Sequence, residues 1–548
     1  MHNQTFKYFT NNTLIVPFSI FFIGLFLFTT AQFNHEFVQF ESRFGMFAQE
    51  MWRNGISFFP TTYNQLYPDY PATQTILTYL LSLLIGKITL ITAILPTAIT
   101  SAATLAFTYA TGSLRSRLWG IYSVLFLLFT YNFFGPARSI TLDQFTTTAT
   151  VACFYIIYSA QILNNKQRLW LLPLFWIFGF VMRGPIGLII PASVTAGFYL
   201  LNRQWRIFFI IAISSLTLLT IGIAGLLFAA WHQGGMSFVH DVIRMEAVGR
   251  VINTEKHSHI SYLLLGFQDY WISFPIALLV FFATIKNIFS NDISEDVKFL
   301  RYLFFWMLII LIGMSLTSTA KDRYIMPMCP AAALVASYIF TSNNANPFLN
   351  RLRKLLLVLS ALFPFIGLVA VMGCKIFSTI KQFDLNIHYI FLSSLLLLTC
   401  VLTILLLRKN IQPSTRQLGL CTCATATFVM LYIGVIQPVD IQFNSAKIFV
   451  NQFEEYYQPN EDIVFYQIGP DQEDIKFMVA MDKPILPKFI NSGQELLQYQ
   501  KPALFIAKES DFDNLSQEIK NRLKILFIQK LGHRRCVVFK SGVIPAGT

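Results

Sequence analysis

Charge is scarce in this 548-residue sequence: Asp, Glu, Lys and Arg make up 13% of it, against 55% hydrophobic residues. That balance excludes an ordinary soluble enzyme and describes a polytopic membrane protein. Cysteine is sparse too, with seven residues. Cys153, Cys329, Cys374, Cys400, Cys421 and Cys423 fall in or beside apolar segments and only Cys536 in a polar part, so neither a disulfide framework nor a metal-ligand spacing follows. No internal repeat, low-complexity tract or G-x-G-x-x-G loop is found; IGPDQ at 468–472 is too short to cradle a nucleotide. Acidic residues are outnumbered, leaving a formal net charge of +13. In a soluble chain that would suggest nucleic acid, but between apolar segments it is what the positive-inside bias produces, and nucleic acid is not an expected partner.

What the sequence does have is long apolar runs. A helical span needs roughly 20 apolar residues, and such runs lie at 12–31, 88–112, 118–135, 141–161, 184–202, 207–231, 261–285, 299–317, 323–341, 355–375, 388–407 and 417–437. The first reads as a retained anchor rather than a cleaved signal, having only a weakly basic start. Two further runs, 72–86 and 169–182, offer only about 21 to 23 Å of helix each. The basic clusters at Arg115 and Arg117, Lys166 and Arg168, Arg203 and Arg206, 286–301, Arg351 to Lys354 and Arg408 to Arg416 are expected in the cytoplasm, which requires 169–182 to cross and 72–86 not to. The expected result is about thirteen spans with the amino terminus inside. The last stretch, 439–548, is more charged and mixes strand patterns (IVFYQ, ALFIA, CVVFK) with helical ones (SGQELLQY, LSQEIKNRLKIL). It is expected to be a small soluble α/β domain outside the membrane, following a transmembrane domain of residues 1–438.

On this topology the polar loops gather on one extracytoplasmic face. The loop 32–71 carries Glu41 and Asp69, and Phe40, Phe44, Phe47 and Met51 recur there at helical spacing. A helix over 40–52 is predicted, with an apolar stripe and a polar face of Glu41, Arg43 and Glu50, lying on the bilayer. Other loops of that face hold Arg138 and Asp143, Arg183, the stretch 232–259 with Asp241, Arg244, Glu246 and Arg250, and Lys321 to Arg323. Bases here run against the topological bias, which suggests an anion held in the membrane plane, a phosphate above all. A carboxylate beside such a site could take the proton of an attacking hydroxyl while the bases stabilise a departing phosphate. His240, His257 and His259 are too irregularly spaced for a metal site, and none is expected among them.

The motifs FESRFGMFAQEM, YPDYPAT, ARSITLD, VMRGPIGLIIP and KDRYIMPMCPA occur in this order through the membrane part. Together they resemble the bacterial ArnT-like glycosyltransferases, a GT-C group that also includes protein O-mannosyltransferases. The resemblance implies an all-α polytopic membrane domain with amphipathic loop helices, capped by an α/β domain. It also implies transfer of a sugar from a polyprenyl-phosphate donor to a lipid A-like or glycan acceptor, at the outer face of a bacterial inner membrane, by a monomer. No cofactor is required, and there is room for a divalent ion near Glu41 and Asp69. Glu41 corresponds to the second acid of the family's acidic pair and is the expected general base. Asp69 matches the motif glutamate, and Asp143 is a further supporting acid. Arg183, Lys321, Arg323 and Tyr324 are expected to hold the lipid phosphate, with Arg250 beside them. Phe40 stands where the family has its aspartate and Tyr70 where it has a lysine. Either Glu41 therefore serves alone, or Asp69 or Asp143 takes part, or the chain is a non-catalytic member. The reading from another class is a transporter or flippase of lipid-linked sugars, which would place its charges near the midplane on broken helices.

Overall fold

The computed structural model describes residues 14–32, 35–69, 71–245, 261–290, 294–316, 321–342, 346–381 and 387–541. The chain forms two compact units: residues 1–30, 68–74 and 94–436 in one, and 31–67, 75–93 and 437–548 in the other. Among the described residues seven helices are long and apolar enough to cross a bilayer, or up to nine if two bent pairs each count as one span. Ile15–Thr29, Thr73–Ile85 and Pro185–Leu201 are shorter apolar helices. The chain is a multi-pass membrane protein.

The first unit is a helical bundle. Its central helix, Asp143–Ile162, is buried from Asp143 to Ala160 apart from Tyr155. Four of its residues are threonines, which would be costly in an apolar interior without partners. Three of them bond back to the previous turn: Thr147 to Asp143 O at 2.8 Å, Thr148 to Gln144 O at 2.9 Å and Thr150 to Thr146 O at 2.7 Å. Thr148 also meets Thr104 Oγ1 at 2.7 Å, tying this helix to Leu90–Ser113. Small residues bring the next two helices together. An added Cβ on Gly179 of Leu172–Arg183 would lie 2.0 Å from the carbonyl oxygen of Gly187 in Pro185–Leu201, so both positions must stay glycine.

Two of the expected spans are broken. The run 118–135 is straight only over Arg117–Leu128 and turns by 83° into Tyr131–Arg138, while 261–285 divides into Ser261–Asp269 and Ser273–Ile288 at 115°. The run 207–231 continues as Trp205–Ile243 through a kink at Gly235, whose φ is +69°.

The second unit holds a five-stranded sheet of order β4-β3-β5-β7-β6: β3 Asp462–Tyr466, β4 Lys488–Ile490, β5 Ala503–Lys508, β6 Leu523–Leu531 and β7 Arg534–Ser541. β3 runs parallel to β4 and β5, and β7 antiparallel to β5 and β6. Alternate side chains feed two cores, Ile463, Phe465, Leu504 and Ile506 on one face and Val464, Tyr466, Phe505 and Ala507 on the other. The helical reading of LSQEIKNRLKIL holds for one turn only, Gln517–Lys520; from Leu523 the same stretch is strand β6, paired along β7. A hairpin, β1 Thr61–Thr62 with β2 Gln65–Leu66, also belongs to this unit.

The predicted loop helix is Glu41–Asn54, and it too belongs to the second unit. Phe44, Phe47 and Met51 are buried as the stripe requires, but so are Glu41, Gln49 and Glu50. The face that carries Glu41 and Glu50 is thus buried in protein rather than solvated. It packs on the helix Glu473–Met481, where Gln49 Nε2 donates to Val479 O at 3.1 Å.

Candidate active site

Local sequence sets the orientation of the charged groups in the helical bundle. Asp143 begins its helix, where an acid faces the free N–H groups of the first turn. Arg183 ends its own helix, where a cation is favoured. Gly184 then turns the chain with a φ of +73°, and Pro185 opens the next helix. Arg323 follows Asp322 in the 3₁₀ segment Asp322–Met328.

These elements bring four of the expected residues into one cluster. Arg183 Nε donates to Asp143 Oδ1 at 3.1 Å, and Arg323 Nε lies 3.6 Å from Asp143 Oδ2. The Arg183 and Asp143 side chains are 2% and 9% exposed and Arg323 is 21% exposed. Both guanidinium carbons lie over the Tyr324 ring, at 5.9 and 6.0 Å from its centre. Two cations thus share one carboxylate in a site open at the Arg323 side. The neighbouring Asp322 is held in turn: Asn132 Nδ2 donates to its Oδ2 at 2.7 Å, and the hydroxyl of the fully buried Tyr270 donates to its backbone oxygen at 3.0 Å. Nothing in the sequence singled out Asn132, and Tyr270 reads there as a residue of an interfacial aromatic belt rather than a partner of Asp322.

The remaining predicted residues are placed differently. Lys321 is exposed and caps the start of the 3₁₀ segment, its carbonyl accepting from Tyr324 N at 3.0 Å. Asp69 is half-buried at a bend of the same unit. Arg138, buried, donates to Leu27 O and to Thr30 O, tying the end of Ile15–Thr29 to the turn after Tyr131–Phe134. Arg250, Glu246, His257, His259 and Tyr70 lie outside the described residues. Among the described residues no three His, Cys, Asp or Glu side chains gather as metal ligands would.

Glu41 lies in the second unit, in the first turn of its helix, nearly buried, with Oε2 3.4 Å from the Val38 N–H. Phe40 gives Arg43 an aromatic neighbour in place of an acid. The Arg43 guanidinium lies 5.6 Å from the Phe40 ring centre and 5.5 Å from that of Tyr67, and it pairs with Asp471 at 3.0 Å. Tyr67 also donates to Asp471, at 3.1 Å. Tyr63 donates to the buried Asp474. Burial pushes the Tyr63 phenol above its ordinary pKa and Asp474 adds to the shift, so the phenol stays protonated and donates.

No protein-family model matches the chain, and no curated protein matches it in sequence. Solved structures do match. ArnT from Cupriavidus metallidurans bound to undecaprenyl phosphate superposes with a TM-score of 0.69 at 15% identity, over 98% of each chain. Its apo state gives 0.67 at 14%, over 98% of this chain and 99% of that one. The chain has the GT-C fold of ArnT. Within that GT-C fold both halves of the chain have counterparts, since the likeness runs through the bundle and the sheet domain alike. The GT-C resemblance carried by short motifs in the sequence is thus matched in three dimensions at an identity too low for the sequences alone to align.

Proposed function

We propose that the protein is an integral membrane glycosyltransferase that moves a sugar from a polyprenyl-phosphate donor to a lipid or glycan acceptor. The observation that carries this reading is the Arg183–Asp143–Arg323 cluster, in which two guanidinium groups converge, the chemistry that recognises a lipid-borne phosphate. Arg323, at the exposed edge, grips that phosphate with Lys321. Arg183 stands behind it, and Asp143 and Tyr324 keep both guanidiniums in place. Asp143, engaged by two cations, acts here as a positioning residue. A carboxylate takes the proton of the acceptor hydroxyl, and Glu41 and Asp69 are the candidates for that role. As the hydroxyl oxygen bonds to the anomeric carbon, the bond from that carbon to the phosphate oxygen breaks, and the arginines stabilise the charge gathering there. The undecaprenyl phosphate bound by ArnT, which shares the fold, supports this choice of donor. The active face is taken to be extracytoplasmic, on a bacterial inner membrane.

The test is transfer of a labelled sugar from polyprenyl phosphate by the purified protein in nanodiscs, with donor binding measured in parallel. Transfer that Arg323→Ala abolishes supports the reading. Donor binding without transfer, for every donor and acceptor offered, would turn the reading toward transport or a non-catalytic member.

A further inference from the structure

The sheet of the second unit reverses its winding between two strands. From β3 the chain crosses to β4 on one side, and from β4 it returns past β3 to β5 on the other. The loops leaving the carboxyl ends of β3 and β5 therefore diverge, and in open α/β sheets the crevice between two such loops is where ligands bind. Here the β3 loop runs over 467–472 into the helix Glu473–Met481, and β5 ends at Lys508.

The crevice is lined by cations. Glu473, whose side chain is 7% exposed, has Arg534 Nε at 3.0 Å, Lys508 Nζ at 3.9 Å and Lys476 Nζ at 4.0 Å. Lys508 also donates to Gln472 Oε1 at 2.8 Å, bridging the two diverging loops, and His533 Nδ1 lies 3.5 Å from Lys476 Nζ. The neighbouring acids are already engaged. Asp471 pairs with Arg43, Asp474 accepts from Tyr63, and Glu509 pairs with Arg535 at 3.1 Å. Three cations thus share one carboxylate. Lys476 and Lys508 are 13% and 16% exposed, while Arg534, 52% exposed, stands at the rim. Burial lowers the Lys476 pKa and the Arg534 charge adds to the shift, while Glu473 opposes it.

We propose that this crevice is a second anion site, separate from the Asp143 cluster, that binds a terminal phosphate group through Lys508, Lys476 and Arg534. A dianion would balance the two charges that Glu473 leaves over, and a guanidinium beside two ammonium groups suits its three oxygens. The group could be free phosphate or the phosphate-monoester headgroup of a lipid; the chemistry of recognition is the same. The site does not depend on the transferase reading.

The experiment uses the full chain in neutral-lipid nanodiscs and reads acylation of Lys508 and Lys476 by an amine-reactive reagent, peptide by peptide. Two arms are run, inorganic phosphate in solution and phosphatidic acid in the nanodisc. Protection in the first arm alone assigns a soluble phosphate, protection in the second alone a lipid headgroup, and protection in both supports the site for either. Arg534→Gln should weaken protection by roughly 10-fold, the loss expected for one charged hydrogen bond. Glu473→Gln removes the internal competitor and should tighten binding, with phosphate raising the Tm of this variant more than that of the unaltered protein. A purely structural role for Glu473 would give a lower Tm that phosphate does not restore. Absence of protection in both arms, or protection unchanged in both variants, would overturn the proposal, whether or not the protein transfers sugar.

Discussion

Arg183 and Asp143 meet at 3.1 Å from the ends of two different helices, and Arg323 closes the other side of the same carboxylate at 3.6 Å. The arrangement brings two guanidinium groups to one carboxylate. It thus makes one acid answerable for two arginines.

If Asp143 positions both guanidiniums, Asp143→Asn breaks a buried ion pair and should cost about 3–5 kcal/mol. A double-mutant cycle with Arg183→Gln should show a coupling of roughly 0.5–3 kcal/mol. The measurement is thermal unfolding in detergent, and strict additivity of the two changes would contradict the pairing. Arg323→Ala should weaken donor binding more than Lys321→Ala, because only Arg323 is held in the cluster.

Glu41→Gln keeps size and hydrogen bonding but cannot accept a proton. Turnover is expected to fall by roughly 10²- to 10⁴-fold with donor binding retained, the usual contribution of a general base. If Asp69→Asn shows the large loss and Glu41→Gln a small one, the roles are reversed. Full activity in both amide variants would remove acid–base chemistry by this loop.

In the sheet domain Asp462 accepts from Lys488 and from the Tyr499 hydroxyl, each at 2.6 Å, and the Lys488 bond chiefly holds its carboxyl below the ordinary 3.8. A lowered folded pKa stabilises above the unfolded value, and that stability is lost as pH falls through the folded one. The unaltered protein should therefore lose its advantage over Asp462→Asn as the pH drops below about 4. Tm values of the two proteins that stay parallel from pH 3 to pH 6 would show that the pair adds nothing.

Cysteines introduced at Gln65 and Lys508 are expected to react with an impermeant thiol reagent from outside, and one at Asn165 is not. The expectation rests on the basic clusters that flank the spans. Labelling of Asn165 in intact cells would invert the topology and move the proposed active face to the cytoplasm.

Much of this molecule is legible in the sequence because the signals are local. Apolar runs mark the membrane helices, the phenylalanine spacing marks the helix Glu41–Asn54 to within two residues at its end, and the Arg183-Gly184-Pro185 corner contains its own stop, turn and restart. Where a local signal was ambiguous, pairing decided: after Gln517–Lys520 the stretch from Leu523 is strand because β7 lies beside it to complete a ladder. The order of short motifs was enough to suggest the fold.

Composition and periodicity determined the class of this protein, its apolar helices and the α/β character of its last hundred or so residues, since each depends on neighbours a few positions away. Only the tertiary structure decided which charge meets which. Asp143 finds Arg183 across 40 residues, and Arg43, which the helical spacing put on the polar face of a helix lying on the bilayer, finds Asp471 in the sheet domain. A charged side chain carries no periodic mark of its partner. Its pairing is set by how helices and strands pack, and burial then makes that pairing energetically binding.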